Sequence, residues 1–425
     1  MRWWRVILLA SVVALAPVAG AASGPLRVGT SGDYAPFSVV DAEGRVSGFD
    51  IAVAQAYAAD RGRDLRLVPF RWPGLLADLE TGRFDVVMSG VTVRPERSAA
   101  GRFTVPVASS GAVVLLRDEG SLRRLDDLDR EGVRVAVNAG GHLERVTRAR
   151  FPRAAVVAIA DNAAVRQALH DDGIDAVVTD TTEAPAWLRS APGWRAHGPF
   201  TRDRKAYLLR ADQGDLARDL DGWILERERD GTLGRLRWAY LPPAATGVTA
   251  TPLAALLAAV DERLALMPLI GATKRAADLP VDVPERETIV LDGAVASVRA
   301  AATRARTHAP TSEAIRGFFA AQIAAAKEIQ TATATGPHAV DPLPVAELTT
   351  VLRPALTRIG ARIAGIIIIL PADLDGATVR PAADVALRAP GLSDRSRERI
   401  SAAIVRVSRS RSAVPGSPHS AGGSN

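Results

Sequence analysis

The chain carries only three lysines, Lys205, Lys274 and Lys327, among its 53 basic residues. Arginine presents a rigid planar fork, whereas lysine presents a compact point charge on a flexible stem. A chain this partial to arginine keeps lysine where a mobile ammonium is useful, or by chance at any one position. Lys274 follows Arg263 by eleven residues. At about 3.6 residues per turn that is three turns along one helical face. Arg286 follows beyond the Pro280 break. Cations in such register can hold an anion or can simply edge a solvated helix, and the spacing leaves both open. With no cysteine in the chain, a disulfide, a thiol nucleophile and a thiolate-held metal are all excluded. No cluster of His, Asp and Glu suggests a metal site, and no cofactor is expected.

The elements that would position these groups fall into two grammars. Over residues 25–242 strands and helices alternate. Leu26-Arg27-Val28-Gly29, Leu65 to Pro69, Phe84 to Met88, Val133 to Val137 and Ala154 to Ile159 read as strands between helical windows. Such alternation predicts an α/β fold with largely parallel sheets and sites at the C-terminal ends of strands. Residues 243–251 are small and polar, a linker. From 252 to 409 alanine-rich helical windows take over at 253–273, 285–307, 311–333 and 343–370, predicting an all-α bundle. The run Ile366 to Leu370 reads as the buried end of a helix stopped by Pro371. A tail at 410–425, rich in Ser, Arg, Gly and Pro, is expected to be disordered.

The N-terminus reads as an export signal. A short basic segment, Met1 to Arg5, precedes an uncharged apolar stretch, Val6 to Val18, and small residues at Ala19-Gly20-Ala21-Ala22. Residues 1–22 are therefore a predicted signal peptide, giving a periplasmic or secreted protein with no membrane span after cleavage. The net charge of +6 is spread among acids rather than gathered in a stripe, which argues against nucleic acid as a partner.

Several segments of the first half resemble the family-3 extracellular solute-binding proteins: Gly29 to Phe37, Gly48-Phe49-Asp50, Phe84 to Gly90 and Asp175 to Asp180. The resemblance implies a type II, periplasmic-binding-protein-like clamshell of two α/β lobes, with crossings near 110–116 and 198–206 and a ligand in the cleft. It implies that Arg97 forks a ligand carboxylate through paired charge-assisted hydrogen bonds. Ser89, Thr92 and the Gly140-Gly141 turn would add donors. Within that superfamily the segments Phe70 to Leu75, Asn138 to Gly141, Thr179 to Ala184 and Lys205 to Leu209 resemble the periplasmic cyclohexadienyl dehydratases, which aromatise prephenate or arogenate. That resemblance implies Glu183 as general acid, Lys205 beside a substrate carboxylate or the leaving hydroxyl, and Trp72 as a wall for the ring. Where the family usually has a small hydroxyl residue after the glycine pair, this chain has His142, which bears on substrate preference.

Residues 252–409 resemble the secreted class of AroQ-type chorismate mutases, on Asp261-Glu262-Arg263-Leu264, Lys274, Pro284 to Glu287, Gln322-Ile323 with Gln330, and Leu352-Arg353-Pro354 leading to Arg362. The resemblance implies Arg263, Arg286 and Arg362 on the carboxylates of chorismate, with Lys274 and Gln330 at its ether oxygen. Two positions depart from the pattern, Val283 and Ala326. Together the two halves imply a bifunctional enzyme from chorismate through prephenate to phenylpyruvate; an oligomer is compatible with this. The competing reading is an amino-acid-binding protein of an ABC transporter, with Arg97 and Asp180 on the zwitterion and the helices as a non-catalytic appendage. A third is a signalling or scaffold protein. Glu183 and Lys205, which an amino-acid binder does not need, favour the enzyme.

Overall fold

A computed structural model of the chain describes residues 24–247, 249–334 and 340–411. The predicted signal peptide at 1–22 lies outside them, as does the predicted tail from 412 onward.

The first half is two α/β lobes. In lobe one five strands stand in the order Leu65–Pro69, Leu26–Thr30, Val86–Val87, Leu208–Arg210, Gly101–Phe103. In lobe two the order is Ala155–Ile159, Arg134–Asn138, Ala176–Asp180, Ala112–Arg117, Trp194–His197. The first three strands of each order run parallel, with Leu26 opposite Leu65 and Val135 opposite Val156, and Leu208–Arg210 and Ala112–Arg117 then join antiparallel. The central strands Leu26–Thr30, Val86–Val87 and Ala176–Asp180 are buried almost throughout, as parallel strands covered on both faces require. The lobes are joined by a two-stranded ribbon, Ala108–Ser110 against Asp203–Lys205. The first crossing thus falls a few residues before the expected 110–116, because Ala112–Arg117 already pairs within lobe two.

The parallel strands end at the cleft. Thr30, Val87, Asn138 and Asp180 are the last residues of their strands, and the loops after them carry the cleft residues, as the topology of an open α/β sheet dictates. Two of these loops need glycine. Gly90 adopts φ 62°, and a Cβ there would lie 2.4 Å from the Tyr34 ring. Its N–H donates to Asp50 Oδ2 at 2.6 Å. Asp50 of the Gly48-Phe49-Asp50 segment is therefore a fastener of that turn, and burial raises its pKa to about 7. Gly140 has φ 69°, with Pro73 2.9 Å from a notional Cβ.

The second half is helical: Pro252–Ala265, Met267–Ala276, Pro284–Ala305, Ser312–Ala332, Arg353–Ile367, Gly376–Ala386 and Asp394–Arg409. The window expected as one helix over 253–273 breaks at Leu266, just before Pro268, whose missing N–H and ring disfavour a continuous helix. The window expected from 343 becomes regular only at Arg353, after a wider turn at Leu348–Leu352. The predicted linker contains a short helix, Pro243–Thr246, and buries Ala245 and Ala250. Of the run expected to be buried, Ile366, Ile367, Ile368 and Leu370 are, but Ile369 is exposed. No helix among the described residues is long and apolar enough to cross a membrane.

One continuous hydrophobic core runs from lobe one, through Phe49, Val86, Tyr207 and Trp223, into the bundle at Leu256, Phe318, Ile363 and Ile404. Lobe two has two clusters of its own, around Val113 and Trp187 on one face of its sheet and Val114 and Phe151 on the other. The helical domain is packed on lobe one.

Candidate functional site

The cleft between the lobes is closed down to a space of about 50 Å³, so a ring-sized ligand enters only when the lobes part. Of the expected residues, Trp72, Thr92, Arg97, Gly141, His142, Glu183 and Lys205 line it. Arg97 comes from the helix Pro95–Ala100, Lys205 from the crossing ribbon, and Glu183 from the turn after the strand Ala176–Asp180.

Glu183 is buried, with both carboxylate oxygens engaged. Asn162 Nδ2 donates to Oε1 at 2.7 Å and Thr179 Oγ1 donates to Oε2 at 2.8 Å. Burial, helped by the charge of Asp180, raises the Glu183 pKa to about 8, against the opposing pull of its two donors and of Lys205. Lys205 is buried too. Its ammonium donates to Tyr34 Oη at 2.8 Å and Thr92 Oγ1 at 2.9 Å, and lies 3.7 Å from Asp180 Oδ2. The Arg97 guanidinium donates from Nη1 to Thr92 O at 3.0 Å and lies 5.5 Å from the Trp72 ring. Its Nε is buried without a partner, and burial, with Arg94 nearby, lowers its pKa to about 9. A buried cation in that condition favours an anion beside it. His142 places Nε2 2.9 Å from Asp203 Oδ1, and burial holds the imidazole below its usual pKa.

Two expected residues stand behind the cleft rather than in it. Ser89 is fully buried and accepts from Ser31 N at 3.0 Å, bracing the loop after the first strand. Asp180 is occupied by protein donors: Thr182 N at 2.9 Å and Glu183 N at 3.2 Å on Oδ1, and the Tyr34 hydroxyl on Oδ2. A carboxylate so engaged caps its own turn and is not free for a ligand ammonium. Conversely, Tyr34 and Asn162 line the cleft without having been singled out from sequence. Tyr34 lies within the Gly29–Phe37 segment; Asn162 opens the helix Asn162–Gln167 after the capping Asp161. Asn162 Nδ2 also donates to Asp33 O at 3.1 Å, so one amide spans both lobes and the Glu183 carboxyl.

A second cavity, of about 480 Å³, lies inside the helical domain and is lined by Arg263, Lys274, Arg286 and Gln330. Val283 and Ala326 are in its wall. Arg263 is buried, and desolvation lowers its pKa to about 10. Lys274 donates to Pro280 O at 3.2 Å and Val281 O at 3.4 Å; burial, then Arg353 and Arg286, push its pKa down. Gln330 Nε2 donates to Ala326 O at 3.2 Å, leaving Oε1 buried and unpartnered. Arg362 is not there. It pairs with Glu262 and donates to Phe103 O, facing lobe one. Arg353 and Lys327 line the cavity instead, so five cationic side chains face it with Glu287 as the acid among its described lining. Arg353 and Arg362 are nine residues apart, and at about 100° per residue they point to opposite sides of one helix.

These arrangements can do two things chemically. The cleft can hold an anion on Arg97 and Lys205 and offer it a proton from Glu183. The helical cavity can enclose a compact polyanion.

Residues 26–243 match the model of the bacterial extracellular solute-binding proteins, family 3. The cyclohexadienyl dehydratase of Pseudomonas aeruginosa is 37% identical over 216 residues, covering 50% of this chain and 80% of that protein. The L-cystine-binding protein of Escherichia coli K12 is 32% identical over 217 residues, covering 50% and 81%. A crystal structure of an ancestral amino-acid-binding protein, described as a precursor of cyclohexadienyl dehydratase, is 32% identical, covers 52% of this chain and 96% of its own, and has a TM-score of 0.49.

Proposed function

Since the chain belongs to the bacterial extracellular solute-binding proteins, family 3, we propose that its clamshell has become an enzyme, a dehydratase of prephenate or arogenate, supplied by a chorismate mutase in the helical domain. The observation that carries the dehydratase reading is Glu183. A binding protein has no use for a buried carboxyl whose pKa is about 8 in a cleft lined by two buried cations. An elimination does.

Aromatising prephenate breaks two bonds. The ring carboxylate departs as carbon dioxide, its bonding electron pair enters the ring, and the pair of the C–O bond leaves with the hydroxyl. Hydroxide leaves poorly, so the Glu183 proton joins it and water departs, leaving the Glu183 carboxylate held by Asn162 and Thr179. Lys205 and Arg97 hold the substrate's carboxylates, and Trp72 lies along the ring. Closing the lobes excludes water and keeps the acid protonated near neutral pH. In the helical cavity the cationic cage would fix the dianion of chorismate in its reactive conformer and stabilise the ether oxygen as it gains charge.

The test is direct: purified protein is incubated with prephenate and phenylpyruvate is read by its absorbance in alkali, with chorismate consumption assayed separately. No turnover, together with tight amino-acid binding by calorimetry, would sink the dehydratase. The similarity to the L-cystine-binding protein supports that second reading. Against it stands Asp180, whose oxygens are taken by Tyr34, Thr182 and the Glu183 amide.

Two kinetic results are expected. Because the acid form of Glu183 is the one that works, kcat should be flat below its pKa and fall as pH rises through about 8, then by about tenfold per further unit. An alkaline limb below pH 6 would contradict the assignment. Asn162→Ala removes a donor that favours the ionised carboxyl, so the limb should move to higher pH. It also frees the acid to swing, lowering kcat by about tenfold. A limb that stays put would show that Asn162 does not touch the working acid.

A further inference from the structure

Among the polar contacts between the helical domain and the first half of the chain, two lie directly behind the cations of the cleft, beside the Arg362 contact with Phe103 O. Arg97 sits on a helix of six residues, Pro95–Ala100. A helix that short is not stable alone, and its last carbonyls have no partner within it. Arg358 of the helical domain supplies them. Its Nη2 donates to Ser98 O at 3.3 Å and Ala99 O at 2.7 Å, and its Nε donates to Gly101 O at 3.3 Å. A cation at a helix C-terminus is favoured by the peptide dipoles as well.

The second grip is on the crossing ribbon. In the strand Asp203–Lys205 side chains alternate, so Lys205 enters the cleft and Arg204 points the other way. There Arg204 Nη1 meets Asp261 Oδ2 at 2.5 Å and its Nη2 donates to Ala386 O. Asp261 is itself fixed by the backbone N–H groups of Arg388 at 2.5 Å and Ala389 at 3.0 Å. Both gripping helices also wall the helical cavity: Arg263 stands two residues after Asp261, and Arg353 five before Arg358.

We propose that Arg358 and Asp261 are positioning residues of the cleft, through which the helical domain holds Arg97 and Lys205 where an anionic ligand needs them. Neither touches the ligand. The inference rests on the cleft being an anion site and not on the dehydration itself. A displacement of about 1 Å at a binding group can cost up to about 100-fold, so a partial loosening of the Arg97 helix is expected to cost about tenfold in affinity.

The experiment uses full-length protein carrying Glu183→Gln, so that prephenate binding is read by calorimetry without turnover. Adding Arg358→Ala should weaken Kd about tenfold, and Arg358→Lys should recover part of it, since an ammonium still reaches one carbonyl. Asp261→Asn should weaken binding independently. Arg380→Ala, at an exposed pair with Asp384, should leave Kd unchanged. With Glu183 intact, Arg358→Ala should raise KM with kcat within about twofold. A contact that merely stabilised the fold would lower Tm and leave the Kd of the folded protein untouched; that result overturns the proposal. If prephenate binds none of these proteins, the dehydratase reading has failed, and the same ratio of Kd values measured with L-cystine decides the role of Arg358.

Discussion

Glu183→Gln should lower prephenate turnover by roughly 10³-fold while changing the affinity for prephenate by no more than a few-fold. The substitution is close to isosteric, and the pocket can accept it. Asn162 Nδ2, 2.7 Å from Oε1, would donate to the new amide oxygen, and the Thr179 hydroxyl, 2.8 Å from Oε2, can rotate to accept from the new amide nitrogen. The variant therefore loses the proton and little else. The fold should not suffer, since a carboxyl costly to ionise in that setting becomes a neutral amide. Arg97 and Lys205 keep their places, so binding persists. Chorismate consumption should be unchanged, because the helical cavity is a separate site. Retention of more than about a tenth of the native kcat would remove Glu183 from the role of general acid.

Lys274→Ala should cost chorismate consumption about 10²–10³-fold, the usual effect of removing one preorganised donor from a developing oxyanion, and should leave prephenate dehydration untouched. Lys274 suits such a role. Its present partners are two backbone carbonyls at 3.2 and 3.4 Å, long contacts that a ligand oxygen can displace. Burial and two neighbouring arginines hold its pKa down, so an anion entering the cavity restores its preference for charge. Gln330, with Oε1 unpartnered, stands in the same wall. Chorismate loss at the native rate in the variant would show that the cavity does not do this chemistry. The result also bears on Val283 and Ala326, the two apolar departures in the cavity wall: a measurable native rate with a large Lys274 effect would mean that the cation cage suffices without polar groups at those positions.

Much of this was legible in the sequence, for reasons particular to each part. Val- and Leu-rich strands alternating with helical windows announced an α/β fold, the resemblance to the solute-binding proteins implied its two-lobed clamshell, and alanine-rich windows after residue 252 announced the helices. The cleft residues Thr92, Arg97 and Glu183 were named through the family resemblance, and the folded chain has them follow strand ends as an open α/β sheet requires. Arg362 was misplaced because sequence spacing does not say which side of a helix faces a cavity. Arg353, half a turn out of phase with it, faces the pocket. Asp180 and Ser89 were misjudged because their hydrogen bonds run to partners that only the folded loops bring near, Tyr34 and Ser31. Asn162 went unnoticed because its importance comes from closure, which sets Asp33 of one lobe against Glu183 of the other. The break at Leu266 follows from Pro268 and could have been anticipated.

The core shared by lobe one and the helical bundle has a mechanical consequence. With the bundle sharing a hydrophobic core with lobe one, and the hydrophobic clusters of lobe two separate from it, the molecule divides into a heavy frame and a light door hung on the ribbon of Ala108–Ser110 and Asp203–Lys205 and latched by polar contacts across the cleft. Each opening of the cleft swings the door and leaves the frame at rest. Glu183 and Asn162 travel with the door, while Arg97 and the whole helical cavity stay with the frame. A ligand in that cavity can thus remain bound while the cleft fills and empties beside it.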